Sequence, residues 1–298
     1  MPFESNPRRR VLVIFNPTAG WRRRRRLTRV LRAVEALGCA VTLRETGARG
    51  DAEAFARGCD AGAFDLVVAA GGDGTINEVI NGLAETALPL ALIPLGTANV
   101  LAGEIGLPRA ADAVAAAIAS GAAAPVYLGR ANDRRFAMML GIGIDARIVE
   151  GLDVKLKRAA GKLAYVVSAL AAILRYRPAR YELTIDGARH VAAAAVIAKG
   201  HFYGGRFVLA RHARLGQPSL HAVLLERPGR WNVLRYAVAI ARGRLDRLPD
   251  VRVIEARRID ISGPLGEAVQ ADGDLAAHLP LSVGIAERPL ALVGMAPR

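Results

Sequence analysis

The sequence predicts two folds in one chain: an N-terminal doubly wound α/β domain and a C-terminal antiparallel β-sandwich. Three observations carry this expectation. Short apolar runs alternate with stretches of helical spacing as far as residue 124, and such alternation gives a parallel sheet covered by helices. After Pro125 the texture changes to closely spaced strand-like runs with turn signals such as Asn132-Asp133 and Asp186-Gly187, the pattern of a sandwich. Polar, mostly glycine-bearing loops follow the N-terminal apolar runs. In a parallel sheet such loops gather at the carboxyl edge, where ligands bind.

Taken in order, Val11 to Phe15 reads as a first strand buried on both faces. Asn16-Pro17-Thr18-Ala19-Gly20 follows as a turn, with φ fixed at Pro17. Residues 22 to 37 repeat Leu27, Val30, Leu31, Val34 and Leu37 at three and four, which predicts a helix ended by Gly38. Ala40 to Glu45 is a second strand, with Thr46-Gly47 after it, and Asp51 opens a helix to about Gly58. Phe64 to Ala70 is the next strand; Ile76, Val79, Ile80 and Leu83 form one face of the helix beyond it. Leu90 to Ile93 is a fourth strand, closed by Pro94-Leu95-Gly96-Thr97-Ala98-Asn99, and Ala110 to Ala123 is an alanine-rich helix ending near Gly121. Later strands are expected at 126–129, 135–142, 180–186, 190–199, 206–210, 220–225, 251–256 and 257–262, with helices near 158–175 and 230–241.

The bulk numbers narrow the class. A chain of 298 residues suits two domains, and 52% apolar content supplies their cores. Cys39 and Cys59 are too few for a disulfide scaffold, so a reducing cytoplasm is expected. The apolar run after Arg8 to Arg10 is too short for a signal peptide core. Leu163 to Leu174, flanked by Lys162 and Arg175, is about half a membrane span and reads as a packed or interfacial helix. Net charge is +14, and ten arginines fall between residues 8 and 32 with no acid among them. Such a block suits nucleic acid, an anionic membrane or a polyphosphate. No nucleic-acid motif accompanies it, so nucleic acid is not expected and a peripheral place at the inner membrane surface is. There is no P-loop and no zinc spacing, and the five histidines are scattered.

Chemistry concentrates at residues 67 to 79. An apolar strand runs into Gly71-Gly72-Asp73-Gly74 and then into helical spacing. Glycines there let backbone approach a ligand, and N–H groups at a helix N-terminus attract phosphate. Asp73 would repel bare phosphate, so its carboxylate suits a magnesium ion or a hydroxyl about to lose its proton.

The longer string, Gly-Gly-Asp-Gly-Thr-Ile-Asn-Glu-Val, resembles the nucleotide loop of the diacylglycerol-kinase-like lipid kinases. That superfamily also takes in sphingosine kinases and, more remotely, NAD kinases. The resemblance implies an NAD kinase-like or diacylglycerol kinase-like α/β domain over 1–124, completed by 287–298, and a lipid-substrate sandwich over 125–286. It implies that ATP is lined by Asn16, Pro17, Thr18, Ala19 and Gly20, by Thr46, by Gly71, Gly72, Asp73, Gly74, Thr75, Ile76, Asn77 and Glu78, and by Gly96, Thr97 and Asn99. Gln270-Ala271-Asp272-Gly273-Asp274 resembles the family's Asp-Gly-Glu segment, which makes Asp272 or Asp274 the expected proton acceptor. Asp145, in Gly141-Ile142-Gly143-Ile144-Asp145, is a further candidate for the metal network. Lys155, Lys157, Arg158 and Lys162 are candidates to meet phosphates or headgroups. The family's structural metal stretch departs here, since Gln217 and Pro218 stand where an Asp-Gly pair is usual. The implied activity is Mg2+-assisted transfer from ATP to a hydroxyl of diacylglycerol or a related lipid. Alternatives are a sphingoid-base or NAD kinase, or a nucleotide-binding regulatory protein with weak turnover. A homodimer is left open.

Overall fold

The computed structural model describes residues 9–19, 21–150 and 178–295. Gly20 and the helix expected over 158–175, with Lys155, Lys157, Arg158 and Lys162, lie outside the described residues. The chain divides into two compact units, Met1–Val126 with Arg288–Arg298, and Tyr127–Glu287.

The first unit alternates strand and helix as predicted. Its elements are β1 (Arg10–Phe15), α1 (Trp21–Ala36), β2 (Ala40–Glu45), α2 (Asp51–Arg57), β3 (Leu66–Gly71), α3 (Asp73–Gly82), β4 (Leu90–Pro94), α4 (Val100–Glu104), α5 (Ala111–Ser120) and β5 (Ala123–Val126). The sheet order is β2-β1-β3-β4, then the C-terminal strand Leu290–Val293, then β5. The first four strands and the C-terminal strand run parallel; β5 is antiparallel. Chain order reverses between β1 and β3, which makes their carboxyl ends the switch point of the sheet. One core forms where Leu27, Val30 and Val34 of α1 and Val114, Ala115 and Ile118 of α5 meet Val11, Val13, Phe15, Val68 and Ile93 of the sheet. The three-and-four spacing of the α1 residues is what turns its arginines outward.

The second unit is a sandwich of two six-stranded antiparallel sheets. Its elements are β6 (Gly129–Ala131), β7 (Arg134–Phe136), β8 (Met139–Ile142), α6 (Ile144–Glu150), β9 (Tyr181–Ile185), β10 (Ala188–Ala192), β11 (Ala194–Ala198), β12 (Phe202–Tyr203), β13 (Phe207–Val208) and β14 (Leu220–Leu225). They continue as α7 (Arg230–Ala241), β15 (Val251–Ala256), β16 (Arg258–Ser262), β17 (Ala268–Ala271), β18 (Asp274–His278), β19 (Leu281–Ile285) and β20 (Leu290–Val293), the last being the strand returned to the first unit. The sheets read β10-β9-β16-β19-β6-β7 and β15-β14-β11-β8-β17-β18, and share one core that includes Phe136, Leu140, Tyr181, Ile197, Leu224 and Ile259.

Several boundaries depart from the sequence pattern. The run at 126–129 is two strands, β5 in the first unit and β6 in the second. The run at 135–142 breaks at Ala137 and Met138, whose N–H groups leave the ladder for the carboxylate of Asp272. The run at 190–199 breaks at Ala193, where the chain passes from one sheet to the other. α4 and the strands β17 to β19 have no counterpart in the sequence expectation.

Candidate active site

Four loops of the first unit meet at the carboxyl ends of β1 to β4. The Asn16 N–H donates to Ala70 O at 3.1 Å, and that of Thr46 to Phe15 O at 2.9 Å. Asn16 also organises its own loop: Oδ1 accepts the Thr18 N–H (3.0 Å) and hydroxyl (2.6 Å), while Nδ2 donates to Thr75 Oγ1 at 3.2 Å. This last bond spans the switch point.

The glycine loops after β3 and β4 touch backbone to backbone. A Cβ on Gly96 would lie 2.6 Å from Cα of Gly72, and one on Gly72 3.2 Å from Cα of Gly96. Neither atom can move aside without moving a loop, so both positions require glycine for close approach. Gly72 is also the N-cap of α3, and no side chain caps that end. The first-turn N–H groups of a helix lack intrahelical acceptors and carry the positive end of its dipole.

Asp73 ties the two loops together. Its Oδ2 accepts the Asn99 N–H at 2.9 Å and its Oδ1 the Val100 N–H at 2.7 Å, which caps α4 from 27 residues away. Asn99, at φ +48°, closes its loop by accepting the Gly96 N–H at 2.7 Å. Glu78 Oε1 accepts the Gly50 N–H at 3.1 Å, and Asn77 accepts from the Asn81 amide. Ile76 is 2% exposed and part of the core, and its N–H donates to Gly72 O at 3.1 Å, so it supports the loop from within α3. Thr97 is exposed, and Arg23 Nη2 reaches its hydroxyl at 3.4 Å. Arg23 had no individual signal in the sequence; it was one member of an arginine run. Other members are occupied within the unit: Arg10 pairs with Asp65 at 2.6 Å and Arg24 with Glu45 at 2.6 Å.

In the second unit, β17 and β18 are joined by the two-residue loop Asp272-Gly273, with φ of +51° and +87°. Both positive values belong to a type I′ hairpin, which Asp-Gly favours. The Asp272 carboxylate accepts three backbone N–H groups, Ala137 at 2.7 Å, Met138 at 2.8 Å and Met139 at 3.0 Å. These three bonds hold the hairpin against the break between β7 and β8 and engage both carboxylate oxygens. Asp274 is half-buried at the start of β18, and no hydrogen bond or ion pair engages its side chain among the described residues. The two candidates for the base are thus in different chemical situations.

Behind the hairpin lies a buried chain of polar groups. Asp145 on α6 accepts the Tyr203 hydroxyl and the Gln270 amide, the latter at 2.6 Å, and Gln270 Oε1 accepts the Gly273 N–H at 2.9 Å. Burial pushes the Asp145 carboxyl above the usual range, against the pull of the Tyr203 and Gln270 bonds. A Cβ on Gly141 would fall 1.6 Å from Asp145 Oδ2, so glycine there leaves room for the carboxylate. Tyr203 escaped the sequence analysis because nothing near it in the chain marks it.

The structural metal implied for the stretch at 215–220 does not fit these residues. Gln217 is exposed, and no group of three His, Cys, Asp or Glu that could hold a metal occurs among the described residues. A cation of another kind serves the turn. Lys199 is fully buried, and its Nζ donates to Arg214 O at 2.5 Å and to Leu215 O at 3.3 Å. Lys199→Met is therefore expected to cost roughly 2 kcal/mol by removing two hydrogen bonds from a charged donor, leaving Arg214 O and Leu215 O with only the Gln217 and Tyr127 N–H groups. A chelator should leave the melting temperature of the nucleotide-free wild type unchanged. Differential scanning calorimetry with and without EDTA checks both statements.

A doubly wound unit with converging glycine loops, carried with a sandwich that presents an Asp-Gly-Asp hairpin, defines a two-domain kinase of the lipid-kinase class. Residues 10–131 match the family model of the diacylglycerol kinase catalytic domain, and residues 138–294 that of the YegS C-terminal NAD kinase beta sandwich-like domain. A diacylglycerol kinase of Bacillus subtilis is 30% identical over 281 residues, covering 91% of this chain and 92% of the relative. One from Mycobacterium tuberculosis is 30% identical over 256 residues, covering 83% and 80%. A solved diacylglycerol kinase of Bacillus anthracis superposes with a TM-score of 0.79 at 24% identity, over 98% of this chain and 99% of that one, which shows the fold. The chain belongs to the diacylglycerol kinase family and is a lipid kinase.

Proposed function

We propose that the protein transfers the γ-phosphoryl group of ATP to the free hydroxyl of diacylglycerol or a closely related lipid. The observation that carries the nucleotide part is the Gly72–Gly96 contact beside the open N-terminus of α3. It supports a cradle of backbone N–H groups for phosphate, with Arg23 at its edge adding positive charge. Magnesium, when bound with ATP, neutralises phosphate charge and helps align the transfer. Asp73, half-buried where both loops meet, is an oxygen ligand suited to such a hard ion or to its waters.

Asp274 takes the proton from the lipid hydroxyl, and Asp272 holds the hairpin that presents it. Phosphoryl transfer asks a protein mainly for alignment and charge stabilisation, so a single oriented carboxylate is enough for the proton. The choice of diacylglycerol follows the two relatives, both diacylglycerol kinases. The regulatory alternative drew on Gln217; the two hydrogen bonds that Lys199 gives that turn speak against a loss of structure there. The test is incubation with γ-labelled ATP and a mixed lipid extract. Label is expected in phosphatidic acid; label in a sphingoid base or in NADP would replace the proposed acceptor, and ATP binding without labelled product would replace the enzyme.

A further inference from the structure

The inner and outer faces of α7 contrast. Tyr236 and Ala239 are buried, the Tyr236 hydroxyl donates to Asp250 Oδ2 at 2.5 Å, and Arg235 pairs with the same carboxylate. The outer face carries Trp231, Leu234 and Val238, which are 83%, 45% and 39% exposed. Their spacing of three and four places them on one stripe, and exposed Ala237 and Ala241 extend it. A single exposed leucine means little, but a contiguous stripe headed by tryptophan on a rigidly held helix needs a partner.

The charge around the stripe names the partner. From Arg227 to Leu245 there are five arginines and no acidic residue, and Arg227, Arg230, Arg242 and Arg244 are exposed. The next acid, Asp246, is already held by Arg211 at 2.7 Å. We propose that the outer face of α7 docks on an anionic lipid bilayer, with Trp231 and Leu234 in the headgroup–acyl boundary and the arginines on lipid phosphates. Tryptophan and leucine on one face with arginines beside them is the composition of an interfacial helix. A second copy of the chain fits worse, because a two-fold contact through this stripe would set the arginines against themselves. The proposal deepens the lipid-kinase reading by giving the enzyme a surface from which to draw a membrane-dissolved substrate.

The test uses the full chain and vesicles without diacylglycerol, so that it can fail independently of the substrate assignment. The chain has two tryptophans, and Trp21→Phe leaves Trp231 as the reporter. Vesicles of phosphatidylcholine and phosphatidylglycerol are expected to shift Trp231 emission to the blue and to sediment the protein, and phosphatidylcholine alone to do neither. Trp231→Ala with Leu234→Ser should weaken sedimentation about tenfold, with an unchanged melting temperature because both side chains are exposed. The same variant should phosphorylate diacylglycerol in detergent micelles at the wild-type rate. Wild-type sedimentation by the double variant, or an unmoved Trp231 emission with vesicles present, overturns the proposal. So does a concentration-dependent dimer that the double variant dissolves, which would give the stripe to a second copy.

Discussion

Asp274→Asn is expected to lower turnover about a thousandfold, within the range for loss of a general base, and to leave the melting temperature where it was. The two halves of this expectation come from one observation. Asp274 stands at the first position of β18 with no partner for its side chain among the described residues, so an amide of the same size strands nothing. What the amide removes is the ability to accept a proton. ATP affinity, which the proposal assigns to the loops of the first unit, should change by less than about twofold. The effect should therefore appear in kcat and in kcat/KM for the lipid equally, the mark of an interaction made in the transition state. Asp274→Glu restores a carboxylate with one more methylene and should recover most of the rate. Steady-state kinetics with labelled ATP, beside a thermal melt of each variant, checks the set; a fully active Asp274→Asn removes the residue from the mechanism.

Much of this was legible in the sequence, and the parts that were not share a cause. Strands β1 to β4 are apolar runs with punctuated ends, and their loops had to converge once the sheet was parallel, so the loop edge of the candidate site could be read from order alone. The arginine-clad α1 announced its buried stripe through Leu27, Val30 and Val34. By contrast, α4 is five residues long with its cap, Asp73, 27 positions away from the Val100 N–H it holds. The break between β7 and β8 answers to a carboxylate about 135 positions later. β17 is buried along its whole length and shows no alternation to find. Tyr203 and Lys199 earn their roles only through partners remote in the chain. Local periodicity carries no record of such long-range hydrogen bonds, and the proposal of Asp274 over Asp272 rests on them.

Asp272→Ala is expected to act in the opposite way to Asp274→Asn, through stability first. The substitution leaves the N–H groups of Ala137, Met138 and Met139 without their acceptor. Each unpaired buried donor costs about 1–3 kcal/mol, less where water can enter, and Asp272 is only half-buried. A total near 3 kcal/mol follows, with a further few tenths because alanine tolerates φ of +51° poorly. Asp272→Asn keeps one acceptor oxygen and suits the left-handed region, so its cost should be about half as large. Were Asp272 the proton acceptor that the resemblance equally allows, Asp272→Ala would abolish turnover on an intact fold; the three hydrogen bonds argue instead that lost activity would come with a loosened hairpin. Urea denaturation separates the cases. A lower midpoint in the order wild type, Asn, Ala, with the residual rate of Asp272→Asn well above that of Asp274→Asn, fits a positioning residue. A wild-type midpoint in Asp272→Ala with no measurable turnover would return the proton to Asp272 and make Asp274 the bystander.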